Sequence, residues 1–534
     1  MMGVGVTAGA RGARERGALR AAASARLFGR SVNDMALVAG AGLTAFLLFL
    51  LVRTSLTDDA YITLAYAKNL ALHLHWGVIP QEVANSATSP LNVVLLGGVS
   101  AATRIGGGVH PVLALGIVSV ALAMVMAWMW LRIVRALRLP LVVAVLGLAL
   151  VLANPFLLSA VGLEVLLIPT LLVALVAVAL EGRTVWFGAI AGLALLARLD
   201  LIIFVLAIAA ATPAIRRGWR RTLITTIVVA APWFLASWIF LGSVVPDTLI
   251  IKRGQAGLFG VWSYVTGPVM YYTSRPNAVL IAFLPAVIGL FVLVGWFVVR
   301  TAVRWASADG FPSLGPVAGL GAGAVAYYAV YSVMGVGPYH WYYVPPSVAL
   351  SAFLVIAAGV WLTAARRRPR LRAGAPPLVL GLAGLLAVGN FAVDAGKGVP
   401  WKSPVIFGNW ASAKDYARVG AELRKRVGNA TVSAPGEIGT LAYFCDCALV
   451  DEFSDRGVVV ADINRRISHA GLVKRAIYRL NYLWLDRSQK PRRVDYRLRY
   501  GRGPATGPDS WQVWSAAKGV GHFTLLRGPD PAPR

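Results

Sequence analysis

Acidic residues, cysteine and histidine are all scarce in this chain. Aspartate and glutamate number 23 in 534 residues, against 51 lysines and arginines. Charged residues make up 14% of the chain, where a soluble domain carries about a quarter. An ordinary soluble surface is therefore excluded. The two cysteines, Cys445 and Cys447, are too few for a disulfide framework or a multi-cysteine metal site. A bridge between residues two apart would be strained. They are expected as two small buried residues on a strand. Of the six histidines, His73 and His75 lie close together, but no third ligand follows them. No cofactor is implied, and a divalent cation is left open.

Apolar residues supply 58% of the chain. They occur in runs such as 109–131 and 278–299, each about the 20 residues a helix needs to cross a bilayer. In hydrocarbon the backbone must satisfy its own hydrogen bonds, so these runs are read as helices. The net charge of +28 does not point to nucleic acid. Arginine collects in short blocks between the apolar runs, as in cytoplasmic loops. The blocks are 11–30, Arg132/Arg135/Arg138, Arg216/Arg217/Arg220/Arg221, Arg300/Arg304 and Arg366 to Arg372.

Two cytoplasmic blocks must be separated by an even number of crossings. Three apolar runs, 36–52, 91–103 and 109–131, lie between the first two blocks. The middle one has about 13 residues and follows Pro90, so it is read as re-entrant or interfacial. The remaining runs pair off and give about eleven spans. The expected fold is a polytopic α-helical membrane protein with a C-terminal extracytoplasmic α/β domain. Residues 1–33 form a basic cytoplasmic tail, 34–393 the membrane domain with an outer loop at 54–108, and 394–534 the outer domain. The expected location is the plasma (inner) membrane, crossed many times, with the N-terminus inside. Strand-like pieces at 430–433 and 448–450 flank a loop or short helix at 435–443.

Chemistry is sought where carboxylates meet the membrane edge. Asp58 and Asp59 stand at the exit of the first span. Thr57 can cap the following helix, with both acids favourably placed in its first turn. A carboxylate at that boundary can also take a proton from an acceptor hydroxyl. Lys252 and Arg253 are adjacent cations in the outer segment 242–277, where ordinary membrane-edge snorkelling accounts for them. Arg198 is expected to pair with Asp200, and Glu164 stands at a helix start. His340, Trp341 and Tyr342 belong to an aromatic patch suited to a sugar or to the membrane interface.

The stretch from Asp58-Asp59-Ala60-Tyr61 to Leu70, followed by Thr88-Ser89-Pro90-Leu91, resembles the first outer loop of GT-C integral-membrane glycosyltransferases. The likeness is closest to the bacterial branch adding terminal β-(1→2) arabinofuranose to cell-wall arabinan. Gly162-Leu163-Glu164, the segment from Pro246 to Lys252, the segment from Tyr339 to Pro345, and Gly436-Glu437-Ile438-Gly439 with Asp451 resemble its later motifs. The resemblance implies inverting transfer from a polyprenyl-phosphate sugar to a cell-envelope glycan or lipid acceptor. Asp58 or Asp59 would be the general base, with Asp58 favoured as nearer the membrane exit. It implies donor-phosphate binding by Lys252 and Arg253, and substrate binding by Glu164, His340, Trp341 and Tyr342. The chain departs from the pattern at Ala65, His73-Leu74-His75, Asn85-Ser86-Ala87 and Asn92, so sugar and acceptor stay open. The rival classes are a transporter or flippase of lipid-linked sugars and an inactive scaffold.

Overall fold

The computed structural model describes residues 32–104, 106–303, 314–367 and 375–528. The basic tail at 11–30, Arg304 and residues 368–372 lie outside the described residues. Among the described residues, seven helices are long and apolar enough to cross a membrane: Val32–Val52, Pro111–Ala136, Trp219–Phe240, Pro276–Val299, Gly315–Met334, His340–Ala364 and Pro377–Gly396. Four further expected crossings are shorter apolar helices, Val142–Leu152, Leu167–Leu180, Thr184–Ala197 and Leu199–Ala211. The run after Pro90 forms the helix Pro90–Ala102, 13 residues long. At 1.5 Å per residue it covers about 20 Å, short of the roughly 30 Å hydrocarbon core. It lies against the helix Asp58–His73, where a Cβ on Gly97 would sit 2.9 Å from Leu70.

The helix ends sort into two layers. At one end Arg132 donates to Glu181 at 2.7 Å, Arg183 pairs with Glu181 at 3.1 Å, and Arg135 pairs with Asp34. Gly218 packs there on Thr184. At the other end the Trp401 amide donates to the Leu51 carbonyl at 2.8 Å, and the Ile406 amide to the Ser159 hydroxyl at 3.1 Å.

Apolar side chains gain nothing from leaving lipid, so close backbone packing and interhelical hydrogen bonds hold such helices together. Thr184–Ala197 and Trp219–Phe240 pack this way. A Cβ on Gly188 would sit 2.4 Å from the Thr222 carbonyl, and the Thr226 hydroxyl donates to the Gly188 carbonyl at 3.0 Å. Gly147 leaves room for Trp130, whose ring would lie 2.3 Å from an added Cβ.

The C-terminal region folds as a small α/β domain. Its strands are β1 (Thr431–Ser433), β2 (Ala448–Val450), β3 (Tyr496–Arg502), β4 (Ser510–Ser515) and β5 (Gly519–Arg527), in the order β2-β1-β3-β5-β4. β1 is parallel to β2 and β3, and the β3-β5-β4 half is antiparallel. The segment between β1 and β2 contains the helix Gly439–Cys445. The cysteine expectation is corrected here: Cys445 ends that helix, off any strand, and forms a disulfide with Cys447. Asp446 between them adopts φ of 53°, which turns the chain back and brings the two Cα atoms to 5.1 Å.

Candidate active site

The helix Asp58–His73 begins where the first span ends, and both acids lie in its first turn. Consecutive helical residues project about 100° apart, so the two carboxylates face different neighbours. Asp58 turns into the C-terminal domain and is 6% exposed. It accepts the Gly439 amide at 3.0 Å, the Thr440 amide at 2.7 Å and the Thr440 hydroxyl at 2.8 Å. Its own amide donates to Asn409 at 3.0 Å, and Asn409 donates to the Leu56 carbonyl at 2.8 Å. Burial pushes the Asp58 pKa from 3.8 up to about 6, against the pull of the Thr440 hydrogen bonds. Glu437, held by the Trp410 amide at 2.9 Å and by the Tyr416 hydroxyl, is also raised, by burial and then by Asp58. Thr57 occupies the N-cap position, yet its hydroxyl makes no cap bond and is buried without a partner among the described residues.

Asp59 faces the other way, with its side chain 29% exposed. It pairs with Lys252 at 3.2 Å. Lys252 comes from the helix Thr248–Gly254, and its ammonium lies over the rings of Tyr339 (4.1 Å), Phe453 (5.2 Å) and Trp341 (5.5 Å). Burial opposes its charge, but Asp59 and the Tyr339 and Tyr342 hydroxyls outweigh burial and raise its pKa. The aromatic patch thus encloses a cation. The Arg253 side chain lies outside the described residues.

The helix that carries Lys252 starts at Asp247, a residue of the Pro246-to-Lys252 motif whose carbonyl accepts the Ile251 amide at 3.1 Å. Asp247 is 2% exposed and pairs at 3.0 Å with Arg456 of the C-terminal domain. Arg456 also donates to the Ser243 hydroxyl at 2.9 Å and to the Leu241 carbonyl. Nothing in the sequence around Arg456 distinguishes it from the many other arginines. The Ser86 hydroxyl adds another tie between outer loop and domain, donating to the Phe453 carbonyl at 2.6 Å.

Arg198 forms the expected pair with Asp200 at 2.6 Å, and a second with Glu164 at 2.7 Å. It also donates to the Tyr331 hydroxyl at 2.7 Å and lies 5.0 Å from the Tyr342 ring centre. Glu164 is thus bound to a cation and only 4% exposed as a side chain. His340 is 1% exposed, within reach of the Ser159 carbonyl at 3.2 Å and stacked with Phe407. It backs the site, whereas Trp341 and Tyr342 line it.

Two neighbouring spaces share these cations in their walls. One is a small chamber of about 40 Å³ with Asp59, Glu164, Arg198, Lys252, Trp341, Tyr342 and Phe453 in its wall. The other is a largely apolar cavity of about 500 Å³ between residues 198–203, 245–252 and 330–342. Thr88, Arg198, Thr248, Lys252 and Tyr342 line both. Tyr331 was not singled out by sequence, because it lies inside an apolar run that hides it.

No protein-family model matches the chain, and no curated protein sequence matches it. Solved structures do match its fold. ArnT from Cupriavidus metallidurans bound to undecaprenyl phosphate superposes with a TM-score of 0.54 at 14% identity, over 93% of this chain and 99% of that one. The same enzyme in the apo state gives 0.50 at 15% identity, over 94% and 100%. The Archaeoglobus fulgidus oligosaccharyltransferase in complex with Zn and sulfate gives 0.53 at 11% identity, over 87% and 67%. The chain is a polytopic α-helical membrane protein of GT-C-like fold with a small C-terminal sheet domain.

Proposed function

We propose that the protein is a glycosyltransferase that moves a sugar from a polyprenyl-phosphate donor to a cell-envelope glycan or lipid. One observation carries this: a carboxylate and two cations stand where an apolar cavity adjoins a small, more polar chamber. The apolar cavity suits the polyprenyl chain, Lys252 suits the phosphate, and the rings of Trp341 and Tyr342 beside it offer a face for the sugar. The shared fold with ArnT, solved with undecaprenyl phosphate bound, supports a lipid-linked donor.

In this reading Asp59, rather than Asp58, is the general base. Asp58 already accepts three hydrogen bonds and lines neither cavity. Before the donor arrives, Lys252 neutralises Asp59. The donor phosphate then draws on Lys252 and leaves Asp59 free to take the acceptor hydroxyl proton. The acceptor oxygen bonds to the anomeric carbon as the carbon–phosphate-oxygen bond breaks, so configuration inverts. Polyprenyl phosphate leaves with the bonding electron pair, its charge met by Lys252. Arg198 already serves two carboxylates and acts by holding Glu164 and Tyr342 in place. The donor set does not suit a divalent ion: Asp59, Glu164 and Asp200 are each paired with a cation. Among the described residues no three His, Cys, Asp or Glu side chains are grouped to hold one. No step is routed through a metal.

The sequence motifs favour arabinofuranose as the sugar and arabinan as the acceptor. Arg132, Arg135, Arg183 and the 216–221 block gather at the end opposite the site. The positive-inside rule then puts the site and the C-terminal domain on the extracytoplasmic face. The test is purified protein in nanodiscs with a panel of polyprenyl-phosphate pentoses and hexoses and an arabinan oligosaccharide. The expected result is acceptor-dependent release of polyprenyl phosphate from the arabinofuranose donor. Release from another donor would correct the sugar. Lipid movement across the bilayer without release would favour the transporter class.

A further inference from the structure

The helix Leu472–Asn481 in the C-terminal domain has no buried residue. Its pattern is strongly amphipathic, but the orientation is inverted. Leu472, Val473, Ile477 and Leu480 are 85%, 75%, 60% and 59% exposed, and the chain continues with Leu483 at 58% and Trp484 at 60%. At 100° per residue, Leu472, Val473, Ala476, Ile477 and Leu480 occupy one arc of about 140° with no charge in it. The side turned toward the protein is the polar one. Asn481 accepts the Val245 amide at 2.9 Å, Arg475 donates to the Ser468 carbonyl at 3.2 Å, and Tyr478 packs against the domain core. A helix that binds the protein through its polar side and offers its apolar side outward needs a second apolar phase.

We propose that this helix lies in the membrane interface and seats the C-terminal domain on anionic lipid headgroups. Its position argues for lipid. The Trp238 indole, near the end of Trp219–Phe240, donates to the Leu480 carbonyl at 2.9 Å. A Cβ on Gly242 would lie 2.9 Å from Leu485 Cα, so the two segments touch. Leu235, Ile239 and Phe240 of that span are 53%, 52% and 80% exposed, which makes the helical patch a continuation of a lipid-facing surface. Charge argues for anionic headgroups. Lys474 and Arg479 border the apolar arc on its two sides, and Arg487 follows beyond Trp484. None of the three has an ion pair among the described residues. Apolar residues, an interfacial Trp and flanking cations are the composition of a helix lying in the plane of the headgroups. The helix would fix the height of the domain, and with it the Arg456 and Phe453 contacts, above the bilayer.

The test uses the full chain in nanodiscs, with an environment-sensitive dye on Ile477→Cys and, as the solvent control, on Arg499→Cys in β3. Nitroxide placed at a shallow acyl position should quench the dye at 477 several-fold more than at 499, and aqueous iodide should show the reverse ranking. The contrast should grow when zwitterionic lipid is partly replaced by anionic lipid. Adding Leu480→Glu should reduce lipid quenching at 477 while thermal unfolding stays unchanged. Equal iodide access at both positions with no lipid quenching overturns the proposal. So does shielding from both quenchers with energy transfer between labelled copies, which would mean a second copy covers the face. Equal quenching in zwitterionic and anionic membranes overturns the headgroup assignment.

Discussion

Asp58 and Asp59 are joined by one peptide bond and occupy two different regions of the molecule. Asp58 belongs to the seam between outer loop and C-terminal domain, where three donors from Gly439 and Thr440 surround it. Asp59 belongs to the open chamber, where its one ion-pair partner among the described residues is Lys252. A turn of about 100° along the helix separates the two. The difference teaches that neighbouring acids can meet opposite surroundings, and under the proposed function it assigns a structural tie and a chemical group to consecutive positions. The tie requires saturation and burial. The base requires a lone pair left for substrate.

That division of labour is open to attack at each side. Asp59→Asn should lower transfer on the order of 10³-fold, about 4 kcal/mol in the barrier. Its unfolding temperature should stay close to that of the parent, because a partly exposed ion pair contributes about 0–1 kcal/mol. Retained transfer would move the base elsewhere. Arg456→Ala leaves Asp247 buried without its cation and should cost about 3–5 kcal/mol in unfolding experiments in detergent micelles. Asp58→Ala strands the Gly439 and Thr440 donors and should cost about 2–3 kcal/mol, seen as a lower unfolding temperature. Residual transfer by the folded fraction would then set it apart from Asp59→Asn. A loss of transfer with unchanged stability would reverse the roles of the two residues.

The smallest expected effect is a pH slope. The Asp58 pKa lies at about 6 in the folded chain, because burial outweighs its hydrogen bonds, against 3.8 ordinarily. Between about pH 4 and pH 6 the folded chain therefore holds a proton that the unfolded chain has lost. Stability should fall as pH rises through that window. Asp58→Asn should flatten the slope, read as unfolding temperature against pH.

Much of the architecture was legible because lipid imposes simple rules. Length and apolarity mark runs such as 278–299, and the even spacing of arginine blocks kept the run after Pro90 from being counted as a span. The site was legible only in outline. Asp59, Lys252, Trp341 and Tyr342 meet in one chamber, but the adjacent-residue pattern favoured Asp58 as the base, since chain order carries no information about which face the C-terminal domain covers. Arg456 and Tyr331 were invisible. One is an arginine among many, and the other sits inside an apolar segment. Both matter only through partners more than a hundred residues away. The cysteine pair was misjudged because spacing alone does not reveal the left-handed turn at Asp446.

The sequence by itself determined that this chain is a membrane protein of many apolar helices, and it set two adjacent acids just past the first of them. Local composition decides these things, because transfer into lipid is governed residue by residue. Only the tertiary structure decided which acid is tied into the C-terminal domain and which faces the chamber, and that Lys252 sits between an apolar cavity and a polar chamber. Such facts depend on distances between remote segments, set when the C-terminal domain packs onto the outer loop.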